Sequence, residues 1–115
     1  MATEYTLVNK IKKAILEHYP DAWVFKVVGS PQQESGVPDL LVCVRGRLVG
    51  IEVKYRRPRE SAAAAVGRAT PLQVAQLAKM HRAGAVVGVV LDVEGALGLI
   101  AHALNSSEKS TPESP

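Results

Sequence analysis

Leu7, Ile11, Ala14, Ile15 and His18 recur at helical spacing through residues 4–19, and Pro20-Asp21 closes that segment. An amphipathic opening helix is predicted. Residues 23–28 then read as a strand and 29–37 as a polar loop of Ser, Pro, Gln and Gly. Two apolar strands follow at about 39–44 and 47–54, joined by Arg45-Gly46. Residues 55–69 mix arginines with an alanine run and Gly67, which predicts a mobile stretch with room for one short helical turn at 61–66. Thr70 opens the next helix as its N-cap, with Pro71 in the first turn, Gln73 at the capping-box position and Gly84 as the stop. That places a helix over 71–83. A fully apolar strand at 86–91 and a closing helix at 94–104 complete the pattern.

This order, α-β-β-β-α-β-α, fits an α/β sandwich: a mixed β-sheet flanked by helices, with the hairpin strands central. A chain of 115 residues that is 47% apolar suffices for one core and is too short for two ordinary domains. One domain over residues 1–104 is expected. From 105 to 115 the chain is rich in Ser, Pro and Glu, so a disordered tail is expected there. No apolar run approaches the roughly 20 residues a bilayer demands, and the first residues lack a signal-peptide core. The expectation is a soluble, intracellular protein without membrane partners. The lone cysteine, Cys43, falls in an apolar strand and is expected to pack as a small hydrophobe.

Candidate chemistry concentrates in the hairpin. Side chains alternate along a strand, so Glu52 and Lys54 project together while Ile51 and Val53 face the other way. If Arg45-Gly46 is a two-residue turn, Val44 pairs with Arg47, and counting back sets Asp39 opposite Glu52 with Cβ atoms about 5 Å apart. A three-residue turn would instead set Asp39 opposite Val53 and part the acids. Opposed carboxylates destabilise a sheet unless a cation lies between them. With oxygen donors and no Cys or His cluster, a hard divalent ion such as Mg²⁺ fits best. His18, His81 and His102 lack paired ligand spacing and read as structural or exposed.

Gly36-Val37-Pro38-Asp39, twelve residues, then Glu52-Val53-Lys54 resembles the signature of the PD-(D/E)XK nucleases, and the flanking segments resemble its small VRR-NUC branch. The resemblance covers about residues 7–100 and includes the downstream Thr70-Pro71-Leu72-Gln73 helix. It implies a restriction-endonuclease-like core and Mg²⁺- or Mn²⁺-dependent phosphodiester hydrolysis. Asp39 and Glu52 would hold the metal, with the Val53 carbonyl as a further oxygen, and Lys54 would orient water or stabilise the transition state. Related nucleases carry an acid on the first helix that contacts the metal or its waters, which implies Glu17 here. On residues alone Glu17 reads as a surface partner of Lys13. Gln73 has two readings, helix capping and an active-site amide implied by the resemblance, and Gln76 is a second inward candidate. Stand-alone VRR-NUC proteins and Holliday-junction resolvases share this motif order. That implies branched DNA, flap or four-way, a homodimer, and a viral or mobile-element replication and repair setting. The reading from a different class is a DNA-binding or assembly module that keeps the fold without turnover.

Charge supports a nucleic-acid partner. The net charge is only +3, but Arg45, Arg47, Lys54, Arg56, Arg57, Arg59 and Arg68 fall in one stretch against Glu52 and Glu60 alone. Such a stripe attracts phosphate irrespective of sequence. Directly after the acid cluster, Arg56, Arg57, Arg59 and Arg68 are candidate DNA contacts. Lys26 is another, set against its plainer reading as a strand-edge lysine.

Overall fold

The computed structural model describes residues 3–29 and 33–109. Helix α1 spans Glu4–His18, started by a capping box in which Thr3 and Thr6 satisfy each other's backbone N–H groups. Strands β1 (Trp23–Lys26), β2 (Leu40–Val44) and β3 (Arg47–Val53) follow, then a short α2 (Ala62–Val66), α3 (Pro71–Arg82), β4 (Val86–Val90) and α4 (Val93–Lys109). The sheet order is β1-β2-β3-β4, with β4 parallel to β3 and the other pairs antiparallel. The predicted mixed sheet is present and the hairpin strands are its centre.

Arg45 and Gly46 both have positive φ, 50° and 79°, the requirement of a two-residue turn whose twist matches its strands. Val44 therefore pairs with Arg47 and Leu40 with Ile51. One residue further, Asp39 stands opposite Glu52. The two-residue register holds.

The two sheet faces differ. Leu40, Val42, Val44, Val49, Ile51 and Val53 pack against Val8, Ile11 and Ile15 of α1 and Ala96, Ile100 and Ala103 of α4, forming the core. On the other face α3 packs over β3 and β4, with Met80 lying on Gly50. Trp23, Phe25, Cys43 and Leu48 on this second face are exposed. Cys43 thus departs from its expected burial, because strand alternation turns it away from the core toward a face that α3 does not roof.

Two other expectations change. The closing helix runs to Lys109, past the predicted start of the tail at 105. Each residue added to an established helix gains a backbone hydrogen bond, so polar composition alone does not end one. The rest of that predicted tail, 110–115, lies outside the described residues. The stretch 55–69 is also more ordered than its composition suggests: α2 is capped by Ser61, and Arg68 gathers the loop before it.

Candidate active site

Asp39 and Glu52 meet at the end of the hairpin farthest from its turn. The Asp39 carboxylate accepts a 2.7 Å hydrogen bond from the Val53 N–H, which fixes it at the edge of β3. Glu52 is 2% exposed and Lys54 7%. The Lys54 ammonium lies 3.3 Å from Glu52 Oε2, while Glu52 Oε1 is buried with no hydrogen-bond partner. A buried carboxylate oxygen left without a donor is costly, and such groups commonly mark a position where an ion or water belongs.

Electrostatics point the same way. Burial pushes the Glu52 carboxyl up to about 7, the neighbouring Asp39 charge adds to the rise, and Lys54 opposes it. Asp39 is also raised, chiefly by burial, against the lowering effects of the Val53 N–H and Lys54. Without a cation, then, the pair favours holding a proton. Among the described residues no group of three or more His, Cys, Asp and Glu converges to hold a metal. Two carboxylates suit an ion such as Mg²⁺, which keeps water and substrate oxygens in its other positions. The residues fit that group.

Of the α1 acids, Glu4 is the one that lines a cavity with Asp39, without joining the acid pair. Its charge acts on both Asp39 and Glu52, and its Oε2 lies 3.3 Å from the Tyr55 N–H and 3.4 Å from Arg68. Glu17 sits 13 residues further along α1, about 20 Å away at helical rise. It lines a separate cavity with Lys10, Lys13, Asp92 and Glu94. The structure does not bring Glu17 to the acid pair. The buried stripe of α1 is Val8, Ile11 and Ile15, and Glu4, four residues before Val8, continues it. That spacing was the available signal.

Gln73 makes the capping box: its Oε1 accepts from the Thr70 N–H at 2.9 Å, and its own N–H donates to Thr70 Oγ1 at 3.2 Å. It also lines a cavity of about 300 Å³ together with Asp39, Glu34, Ser35 and Gly36. Gln76 donates to the Ser35 carbonyl at 3.3 Å, tying α3 to the loop before Asp39. Gly36 is required there. Its φ is +85°, and a Cβ would fall 2.5 Å from the Leu72 carbonyl oxygen.

Lys26 donates to Asn9 at 2.8 Å and lies 3.8 Å over the Tyr5 ring, at the rim of a cavity shared with Glu4 and Asp39. Arg56 donates through Nε to the Glu60 carbonyl, and the backbone N–H of Arg57 donates to the Glu60 carboxylate. Arg59 has a positive φ of 66°. Arg68 is engaged by Glu60, Glu4 and the Tyr55 carbonyl.

A mixed sheet with a paired-acid and lysine site on its central hairpin defines an α/β domain of nuclease type. No family model and no curated protein matches the chain. Among solved structures, a VRR_NUC domain matches with a TM-score of 0.61 and 30% sequence identity, over 88% of this chain and 98% of that one. The chain belongs to the VRR-NUC family.

Proposed function

We propose that this protein is a divalent-metal-dependent endonuclease that cuts branched DNA, flap or four-way, in replication, repair or recombination within the cell. The observation that carries this reading is the orphaned, buried Glu52 Oε1 beside Asp39, on the hairpin that bears Lys54. Asp39 and Glu52 would hold Mg²⁺ or Mn²⁺, with the Val53 carbonyl as a further oxygen. When bound, the ion supplies Lewis-acid stabilisation of phosphoryl oxygens and an acidified water.

The chain's own residues do the rest. The Val53 N–H holds Asp39 in one orientation, so its free oxygen is presented without reorganisation. Lys54, 3.3 Å from Glu52, would offer its positive charge to the phosphate that reacts. Glu4 adds negative potential at the same end of the sheet. Gln73 lines the cavity next to Asp39 and holds the α3 N-terminus beside it. The arginines 56, 57 and 59 flank the acids and attract the DNA backbone.

A homodimer belongs to this reading, since a branched substrate offers two strands to be cut. The exposed Trp23, Phe25 and Leu48 on one open sheet face, 55%, 49% and 43% accessible, support it. The test is incubation with labelled flap, four-way and duplex DNA in Mg²⁺, Mn²⁺ or chelator. Metal-dependent products from branched DNA are expected, lost in Asp39→Ala, Glu52→Ala and Lys54→Ala while binding in chelator persists. Retained cleavage by a purified variant removes that residue from the scheme, and binding without cleavage under every condition would favour a non-catalytic module.

A further inference from the structure

Among the described residues, Arg68 is a side chain with four hydrogen bonds. Its Nε and Nη2 donate to the two Glu60 carboxylate oxygens at 2.9 and 3.2 Å, Nη2 also reaches the Tyr55 carbonyl, and Nη1 lies 3.4 Å from Glu4. Glu60 in turn accepts from the Arg57 N–H at 2.9 Å, and its carbonyl accepts from Arg56 Nε at 2.7 Å. Tyr55 closes the ring by donating its N–H to Glu4. A planar guanidinium offers five donors in a fixed fork, enough for these four contacts, whereas an ammonium has three and cannot grip both Glu60 oxygens through two separate nitrogens.

These contacts involve four segments: the end of β3, the basic loop, the residue before Ala69-Thr70, and the start of α1. The loop 55–60 is thereby wrapped around one side chain. With its guanidinium largely occupied by acids, Arg68 has little left for phosphate. Its charge is mostly cancelled by Glu60, whose carboxyl is held below its ordinary range first by that hydrogen bond.

We propose that Arg68 is a positioning residue that, with Glu60, folds residues 55–60 into a clasp which presents Arg57 and Arg59 to the DNA backbone and holds Glu4 beside the acid pair. The DNA part rests on the function proposed above. The clasp itself does not, and the two are tested separately.

Charge and position predict opposite signs. Removing Glu60 from a basic loop should, by charge alone, tighten DNA binding and steepen its salt dependence. If the clasp positions the loop, Glu60→Ala weakens binding of fluorescent flap DNA in chelator by about tenfold despite the added positive charge. Arg68→Lys keeps the charge and loses the fork, so it should behave as Arg68→Ala does. Limited trypsin digestion reads the loop directly, because Arg56 and Arg59 are cleavable only when it opens. Cutting there should accelerate at least about tenfold in Glu60→Ala, Arg68→Ala and Arg68→Lys. Circular dichroism melts establish that each variant is folded at the digestion temperature, with Glu60→Gln as the milder substitute where one is not.

Native cutting rates in the folded variants would overturn the clasp, as would tighter DNA binding by Glu60→Ala. So would native behaviour of Arg68→Lys alongside lost affinity and a salt slope reduced by about one in Arg68→Ala, the mark of a direct phosphate contact. If the native protein binds no DNA, the functional reading fails, and the digestion pattern still decides the clasp.

Discussion

Replacing Glu52 with glutamine separates the electrostatic cost of the site from its packing. Burial raises the Glu52 carboxyl from 4.5 to about 7, with Asp39 reinforcing and Lys54 opposing the rise. The folded protein therefore holds this proton more tightly than the unfolded chain does. Its contribution to stability is fully present below the unfolded value of 4.5 and is lost as pH rises through about 7. At about 1.4 kcal/mol per pKa unit, the loss levels off near 3 kcal/mol, as an order of magnitude. Glutamine is neutral and nearly the same shape. Glu52→Gln should match the native protein in acid and exceed it by up to about 3 kcal/mol at about pH 8 in chelator. Mg²⁺ or Mn²⁺ should recover the stability of the native protein alone, since a ligand that binds only the folded state stabilises it by mass action. Urea unfolding across this pH range, with chelator and with metal, measures both effects. Parallel pH profiles for the two proteins in chelator would refute the reasoning, as would a glutamine variant less stable than native at the alkaline end.

Two further expectations concern the frame around the site. Gly36→Ala combines a positive φ of 85° with a Cβ 2.5 Å from the Leu72 carbonyl oxygen. It should cost about 2–4 kcal/mol and displace the α3 N-terminus, and a urea midpoint unchanged from native would show that this contact is not tight. Trp23→Glu, on the open sheet face, should leave the fold intact but convert the proposed dimer to monomer in sedimentation at micromolar concentration. A variant that sediments as the native protein does would move the interface elsewhere.

How much was legible in the sequence depended on the range of the interaction. The hairpin register followed from the strand period and the Arg45-Gly46 turn, both local, and so Asp39 opposite Glu52 could be reached by counting. The α3 start was equally local, since Thr70, Pro71 and Gln73 each act within three residues of one another. Glu4 was within reach of the pattern, four residues before Val8, but Leu7 packs against the same core and widens the stripe, so spacing alone ranks no acid of α1 above another. The ordered loop before α2 was invisible for a related reason. Arg68 binds Glu60 eight residues away and Glu4 sixty-four away, and no local periodicity encodes such pairs. Cys43 was misplaced because alternation gives a residue's face but not whether a helix covers it.

The fold resolves a conflict between stability and chemistry by assigning them to opposite sides of one strand. Ile51 and Val53 are fully buried against α1 and α4, and each such side chain contributes about 1.5–3 kcal/mol when removed from water. Glu52 and Lys54 are interleaved with them on the same four residues of backbone. The acid therefore cannot relax away from Asp39 without withdrawing its apolar neighbours from the core. The Lys54 N–H bond to the Val90 carbonyl at 3.0 Å fastens the end of that strand as well. A repulsive carboxylate pair persists because the strand that carries it is held from behind. The same argument gives α3 its role: lying over Gly50, with Gln73 at its start lining a cavity with Asp39, it builds one wall of the space through which a phosphodiester backbone would reach the half-buried Asp39.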